Sequence, residues 1–278
     1  MHVGNGTHRR GWDLMDGRGE RTAGAAVVTG AAGGIGQAIA HQLAKQGHHV
    51  LVADIDAEGG ASVVDSIVTG GGTATFVRVD MGEPSEISEL MASAADLEGG
   101  LRVLVNGAAA TRAIDLFDVT VEDWNQMLQL DARGTFLALQ SAARHMRDGG
   151  QGGSIVNIAS IGGKGWKETS NIAYASSKGA IVVMTRVAAN RLGRHGIRVN
   201  SVCPGMTRTA MMEGWLQGRA AREGRDIDDL LRELAQGVPL LRINTPEDIA
   251  AIVGFLASEA ARTITGQSVN VDGGLMWD

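Results

Sequence analysis

Apolar and polar positions along this chain follow two rhythms. "AAVVTG", "HVLVADID", "ATFVRVD", "LRVLVNGAA", "GSIVNIAS", "IRVNSVCPG" and "QSVNVDGG" are short runs rich in Val and Ile. They are apolar on both faces, as strands covered on each side are. Between them the apolar positions recur at helical spacing. "IGQAIAHQLAKQG" predicts a helix stopped by Gly47, and "GASVVDSIVTGGG" a second. Residues 84–98 predict a helix opening on Pro84, and a long helix follows "TVED", where Thr120 and Asp123 have capping-box spacing. Residues 171–193 predict another. "TPEDIAAIVGFLAS" predicts the last, with Thr245 as N-cap and Pro246 at the first position. Strands alternating with helices predict an α/β fold, a three-layer doubly wound parallel sheet in a single domain over 23–278.

Two segments break the rhythm. Residues 206–243 are polar, rich in Arg, Glu and Met, and follow a strand end. Insertions of that length and place tend to be lids or substrate loops. Residues 1–22, "MHVGNGTHRRGWDLMDGRGERT", are glycine-rich, charged and aperiodic, and a disordered tail is expected there. No internal repeat is present.

Composition narrows the class. The chain has 278 residues, 44% hydrophobic and 20% charged, which suits a soluble globular protein. A net charge of -6 argues against a nucleic-acid partner. No apolar stretch approaches the roughly 18 residues of a membrane span, and no secretory signal opens the chain, so no membrane partner is expected. The single cysteine, Cys203, excludes an internal disulfide and suits a reducing cytoplasm. The seven histidines show no metal-ligand spacing, so no metal is expected.

Three features carry chemistry. "VVTGAAGGIGQAIA" sets Gly30, Gly34, Ile35 and Gly36 in a T-G-x-x-x-G-x-G turn between the first strand and first helix. Such a turn lets the backbone approach a pyrophosphate and aims a helix N-terminus at it. Asp54 ends the second strand, 18 residues after Gly36. A carboxylate there accepts from adenosine ribose hydroxyls and repels a 2′-phosphate. No arginine or lysine stands in the turn or beside Asp54 in sequence, so NAD is expected over NADP. Third, the chain's one tyrosine, Tyr174, lies one helical turn before Lys178 in "IAYASSKGAI", with Ser160 fourteen residues upstream at a strand end. An ammonium one turn away favours the phenolate, bringing a phenol of ordinary pKa about 10 toward useful acid/base work.

Together these motifs make the chain, from about residue 24 to its C-terminus, resemble the short-chain dehydrogenase/reductase family. The glycine turn, an acid after the third strand (Asp80), Ser160, the Y-x-x-x-K pair and the "PG" after the sixth strand occur in family order. The resemblance implies a Rossmann-type sheet of about seven strands, nicotinamide hydride transfer and a homodimer or homotetramer. It implies Tyr174 as acid/base on the substrate oxygen and Ser160 as its hydrogen-bonding companion. Lys178 would lower the phenol pKa and hold the nicotinamide ribose. Asp80 and Met81 would contact adenine, Asn106 would line the cofactor, and Pro204, Gly205 and Thr207 or Thr209 would pass the nicotinamide or phosphates.

The chain also departs from that pattern. "NGAA" at 106–109 replaces N-N-A-G, and Asp131 in "QLDARGTF" stands where the family commonly has asparagine. Asp131 is either a fourth catalytic member or a structural residue. "IGGKGWKETSNIA" is long and carries Lys164, Trp166 and Lys167, so Trp166 either meets substrate or forms a rim or subunit contact. Met206, Met211, Met212 and Trp215 either wall an adaptable pocket or only pack the lid down. The expected activity is NAD-dependent interconversion of a secondary alcohol (a polyol, sugar or related small hydroxy compound) and its ketone. A 3-oxoacyl thioester reductase and a catalytically impaired dinucleotide-binding homologue are the alternatives.

Overall fold

The computed structural model describes residues 23–277; the tail expected to be disordered at 1–22 lies outside them. Seven strands form one parallel sheet: β1 (Ala25–Thr29), β2 (His49–Asp54), β3 (Thr73–Arg78), β4 (Leu101–Asn106), β5 (Gly153–Ile158), β6 (Ile197–Pro204) and β7 (Ser268–Val271). Their order is β3-β2-β1-β4-β5-β6-β7. The helices are α1 (Gly34–Lys45), α2 (Ala57–Thr69), α3 (Pro84–Ala95), α4 (Val121–Met127), α5 (Gly134–Asp148), α6 (Ile172–Leu192), α7 (Ala210–Glu223), α8 (Ile227–Gln236) and α9 (Pro246–Ala257). No helix among the described residues is long and apolar enough to cross a membrane.

The strand period sorts side chains onto two cores. Val50 and Val52 of β2 join Ile39 and Leu43 of α1, Val63 of α2, and Ile249 and Val253 of α9. Leu51 and Ala53, one residue out of phase, join Ile87 and Leu90 of α3, and Leu139 and Met146 of α5. Both strand faces are therefore covered, as the unbroken Val and Ile runs require. Strand order reverses between β1 and β4, and that reversal opens a crevice at the carboxyl ends where loops diverge.

Several boundaries differ from the sequence reading for local reasons. Helix α2 starts at Ala57 because the Asp56 carboxylate accepts the Gly59 N–H at 3.2 Å and caps it. The long helix after "TVED" is interrupted by a π turn over Leu128–Arg133, which joins α4 to α5 and slips the helical register. The polar stretch 206–243 contains two helices, α7 and α8. Arg219 and Arg225 of that stretch bridge Glu223 and Glu233, tying the pair together.

The junction of β1 and α1 is the tightest place in the fold. Gly30 has φ +69°, and a methyl on it would stand 2.7 Å from the Ala108 Cα. A methyl on Gly36 would lie 2.0 Å from the Gly30 carbonyl oxygen, so helix and turn touch backbone to backbone. Gly33, by contrast, is extended and has open space where a methyl would go. Gly36→Ala is expected to lower the unfolding free energy by about 2–3 kcal/mol through overpacking. Gly33→Ala should stay within about 1 kcal/mol of the parent. Urea unfolding midpoints of the two variants test the difference, and equal midpoints would contradict this packing.

Candidate active site

The β1–α1 turn has the features an anionic diphosphate needs. Helix α1 begins at Gly33 with no side-chain cap and no acid in its first turn, so its leading N–H groups and positive dipole end are left to an outside acceptor. Thr209, the cap of α7, overhangs the turn: a methyl on Gly34 would stand 3.4 Å from its Cγ2. Thr29 is buried, and its Oγ1 accepts from the Gly107 and Ala108 N–H groups at 3.1 and 3.2 Å, locking the turn to the end of β4. Asp54 is half-buried. Its Oδ2 accepts the Ala32 N–H at 2.9 Å and its Oδ1 the Asp56 N–H at 3.1 Å. The carboxylate is thus fixed beside the glycine turn. These residues fit an adenine dinucleotide: an uncapped helix end for the diphosphate, an oriented acid for a ribose, and no methyl in the way.

Ser160, Tyr174 and Lys178, distant in sequence, are brought to one place by β5 and α6. Ser160 follows β5, where its Oγ accepts the Gly162 N–H at 3.0 Å. Asn171 caps α6: its Oδ1 accepts the Tyr174 N–H at 2.8 Å, and its Nδ2 donates to the Arg112 carbonyl at 2.8 Å. The cap therefore ties the start of the tyrosine helix to the loop after β4. Lys178 is 2% exposed, donates to the Ile158 carbonyl at 3.0 Å, and holds its ammonium 5.6 Å from the Tyr174 ring centre. Farther along, Asn106 donates to Asn157 Oδ1 at 2.8 Å, and Asn157 donates to Thr185 Oγ1 at 2.9 Å. This buried relay pins α6 to β4 and β5.

Asp131 joins the same cluster. It lies in the π turn, wholly buried; its Oδ2 accepts from the Ser177 hydroxyl at 2.8 Å and its Oδ1 from the Ala110 N–H at 3.3 Å. Burial pushes its carboxyl upward, and the Lys178 ammonium, the Ser177 hydroxyl and the Ala110 N–H pull it back. Burial likewise pushes the Lys178 ammonium down, and Asp131 counters it. Tyr174 departs from the sequence expectation. Its pKa is not lowered but pushed up to about 12, by burial first and then by the Asp131 carboxylate, with the Ser160 hydrogen bond acting the other way. Desolvation and the neighbouring negative charge both oppose the phenolate.

Trp166 packs against the cluster of Ala159, Ile161, Ile181, Val182 and Cys203, with Leu275 and Met276, because this apolar patch offers its ring more burial than solvent does. Lys164 donates to the Ser268 carbonyl at 2.8 Å, on β7. Met81 is a core side chain in one cluster with Ile87 and Leu90. Asn106 is 3% exposed, and its amide belongs to the relay beneath α6. Asp80 stays at the β3 end, its Oδ1 accepting the Gly82 N–H at 2.7 Å. Gly205 abuts Asp272, where a methyl would stand 2.6 Å from the Asp272 Cβ, and its N–H donates to the Val271 carbonyl at 2.9 Å. Pro204 ends β6, Thr207 donates to the Gly205 carbonyl at 3.0 Å, and Met211 is exposed on α7. Ile35 packs from α1 onto the core. Ser177, Asn171, Asn157 and Thr185 escaped the sequence reading; only Asn171, a good capping residue before a helical run, carried a local signal. A cavity of about 490 Å³ lies between α1, α7 and α9, sharing Gly34 and Thr209 with the turn, and none of Ser160, Tyr174 or Lys178 lines it.

The chain is similar to known proteins along most of its length. Residues 30–276 match the family model described as enoyl-(acyl carrier protein) reductase. A short-chain dehydrogenase/reductase of Armillaria gallica is 37% identical over 255 residues, covering 91% of this chain and 96% of that protein. The (3R)-3-hydroxyacyl-CoA dehydrogenase of Rattus norvegicus is 38% identical over 264 residues, covering 90% and 95%. Among solved structures, an actinorhodin polyketide ketoreductase with NADPH superposes with a TM-score of 0.84 at 31% identity, covering 91% of this chain and 97% of that one.

Because the chain has one tyrosine, the near-ultraviolet absorbance of phenolate reports Tyr174 alone. In the folded protein the step is expected close to pH 12. Asp131→Asn removes a negative charge from beside the phenol, which eases ionisation, so the step should move to lower pH. A step that stays put or rises would contradict the coupling between Asp131 and Tyr174.

Proposed function

The chain belongs to the short-chain dehydrogenase/reductase family, and from that premise we propose that it is an NAD-dependent oxidoreductase. Its substrate is a small secondary alcohol of the polyol, sugar or hydroxy-compound class, interconverted with the ketone. The observation that carries the reading is the convergence of Ser160, Tyr174 and Lys178 under the cap made by Asn171. Tyr174 exchanges the proton with the substrate oxygen, Ser160 hydrogen-bonds that oxygen, and Lys178 holds positive charge close to the phenol. When bound, the oxidised nicotinamide supplies the hydride acceptor and a further positive charge. With its pKa near 12, the resting phenol carries its proton at neutral pH, ready to donate to a carbonyl oxygen. Oxidation needs the added positive charge to draw that proton off. Asp131 enters as a positioning group, since its carboxylate holds Ser177 and offsets the charge of Lys178.

Asp54, fixed by two backbone donors, supports NAD over NADP. Two engaged cations support a small, uncharged substrate: Arg112 is committed to Asp123 and Lys164 to Ser268. The pair α7–α8 is the lid of this reading, and Trp215, Met211 and Met212 form its adaptable wall. A second reading, a 3-hydroxyacyl thioester dehydrogenase, draws on the rat relative named for that substrate. Exposed Val183 and Val187 on α6, Trp124 on α4 and Phe136 on α5 support self-association as a homodimer or homotetramer. We assign the protein to the cytoplasm on its cysteine usage.

Tyr174→Phe is expected to lower turnover by at least about 10²-fold, the usual weight of a general acid/base. Dinucleotide affinity, read by quenching of tryptophan fluorescence, should change little. Turnover equal to the parent enzyme would sink the assignment. An NAD-coupled screen of polyols, aldoses, simple secondary alcohols and 3-hydroxyacyl thioesters should give its highest rates with the first three classes. Highest rates with the thioesters would favour the second reading.

A further inference from the structure

The sequence shows no cation beside Asp54, but the sheet supplies one. In the parallel pairing of β2 with β3, Asp54 is the register partner of Arg78. Both continue one face of the sheet: Asp54 follows Val50 and Val52, and Arg78 follows Ala74 and Phe76, and all four apolar residues belong to the core beneath α1 and α2. An acid and a guanidinium therefore leave neighbouring strand ends from the same face, and the acid stands beside the glycine turn. They are not an ion pair. The Asp54 oxygens are taken by the Ala32 and Asp56 N–H groups. Among the described residues Arg78 reaches only Glu86, at 3.7 Å, with its side chain 57% exposed. That distance is loose for a charge-assisted contact, and an exposed pair of this kind is worth little. Glu86 is itself occupied, accepting the Asp80 N–H at 2.7 Å through the same oxygen.

We propose that Arg78 is a latent anchor for the 2′-phosphate of NADP, and that Asp54 alone keeps the site from using it. This rests on reading the β2 end as the adenosine ribose site. With Asp54 ionised, a 2′-phosphate placed between the two strand ends meets a fixed carboxylate before it meets the guanidinium. With that charge gone, the phosphate finds a planar cation with several donors on the adjacent strand, the chemistry best suited to a terminal phosphate. Cofactor choice is then set by two residues 24 positions apart that only strand register brings together.

The probes are 5′-AMP, which has a free 2′-hydroxyl, and adenosine 2′,5′-bisphosphate, both titrated by calorimetry into the full chain without substrate. The parent should bind 5′-AMP more tightly than the bisphosphate. Asp54→Asn keeps the side-chain shape and should raise bisphosphate affinity roughly 10- to 100-fold, the range of a hydrogen bond to a charged group. Adding Arg78→Gln in that background should return most of the gain while leaving 5′-AMP affinity unchanged, which also shows that the double variant is folded. No gain in Asp54→Asn, or a gain that survives Arg78→Gln, overturns the role of Arg78. If the parent binds neither 5′-AMP nor NADH, the cofactor reading itself fails, and that result is separable from the other two.

Discussion

Lys178 is an ammonium 2% exposed in the middle of a helix, and the surrounding structure is arranged to make that tolerable. An unpartnered buried charge costs several kcal/mol, so acceptors must come to it. One is the Ile158 carbonyl, which the end of β5 leaves turned toward α6. The other compensation is the Asp131 carboxylate, delivered by a π turn that interrupts the helix between α4 and α5. An uninterrupted α-helix would shift Asp131 around the helix axis, because the extra residue of a π turn is what resets the phase. The phenol bears the consequence: a carboxylate close enough to support the ammonium also opposes the phenolate, and Tyr174 ends above its ordinary pKa. Stabilising the lysine and activating the tyrosine pull in opposite directions within one cluster.

The sheet decides which groups can take part. With all seven strands parallel, the loops after β1, β2, β4, β5 and β6 open on one edge, and the reversal between β1 and β4 spreads them into a crevice. Besides its apolar packing, helix α6 is held against that edge by polar contacts: Ser177 to Asp131, Lys178 to Ile158, and Thr185 through Asn157 to Asn106. Directional bonds fix rotation about the helix axis more strictly than apolar contact does. The position of Tyr174 is therefore specified by its neighbours at 177, 178 and 185, and at its N-terminal end by Asn171.

What the sequence made legible was local. The glycine turn, the strand-ending acid at Asp54 and the helix bearing Tyr174 and Lys178 are patterns of adjacent residues whose cause is their own backbone geometry. The alternation of buried strands and amphipathic helices gave the parallel sheet for the same reason. What stayed hidden depends on pairing across distance. The adjacency of Asp54 and Arg78 requires the β2–β3 register, and the Asn106–Asn157–Thr185 relay requires three elements at once. The π turn had no signature, because "LQLDAR" reads as ordinary helix. Trp166 lies against Ile161, Ile181 and Leu275, a contact that only the folded chain reveals. Spacing reveals the ammonium near Tyr174, while burial and Asp131, which raise its pKa, appear only in three dimensions.

Two aspartates show how environment divides one residue type between opposite tasks. Asp54 stands half-buried at a strand end, its oxygens oriented by two backbone N–H groups and facing the solvent side of the glycine turn. Its effect there is on what approaches from outside. Asp131 is wholly enclosed, and its charge is maintained only through Lys178, Ser177 and the Ala110 N–H. Its effect is therefore internal, on the titration of the phenol one helical turn from the ammonium. Asparagine in its place would hold the same loop through its carbonyl oxygen, and its amide would have to donate to Ser177 instead of accepting. The geometry could survive that exchange; the field at Tyr174 could not.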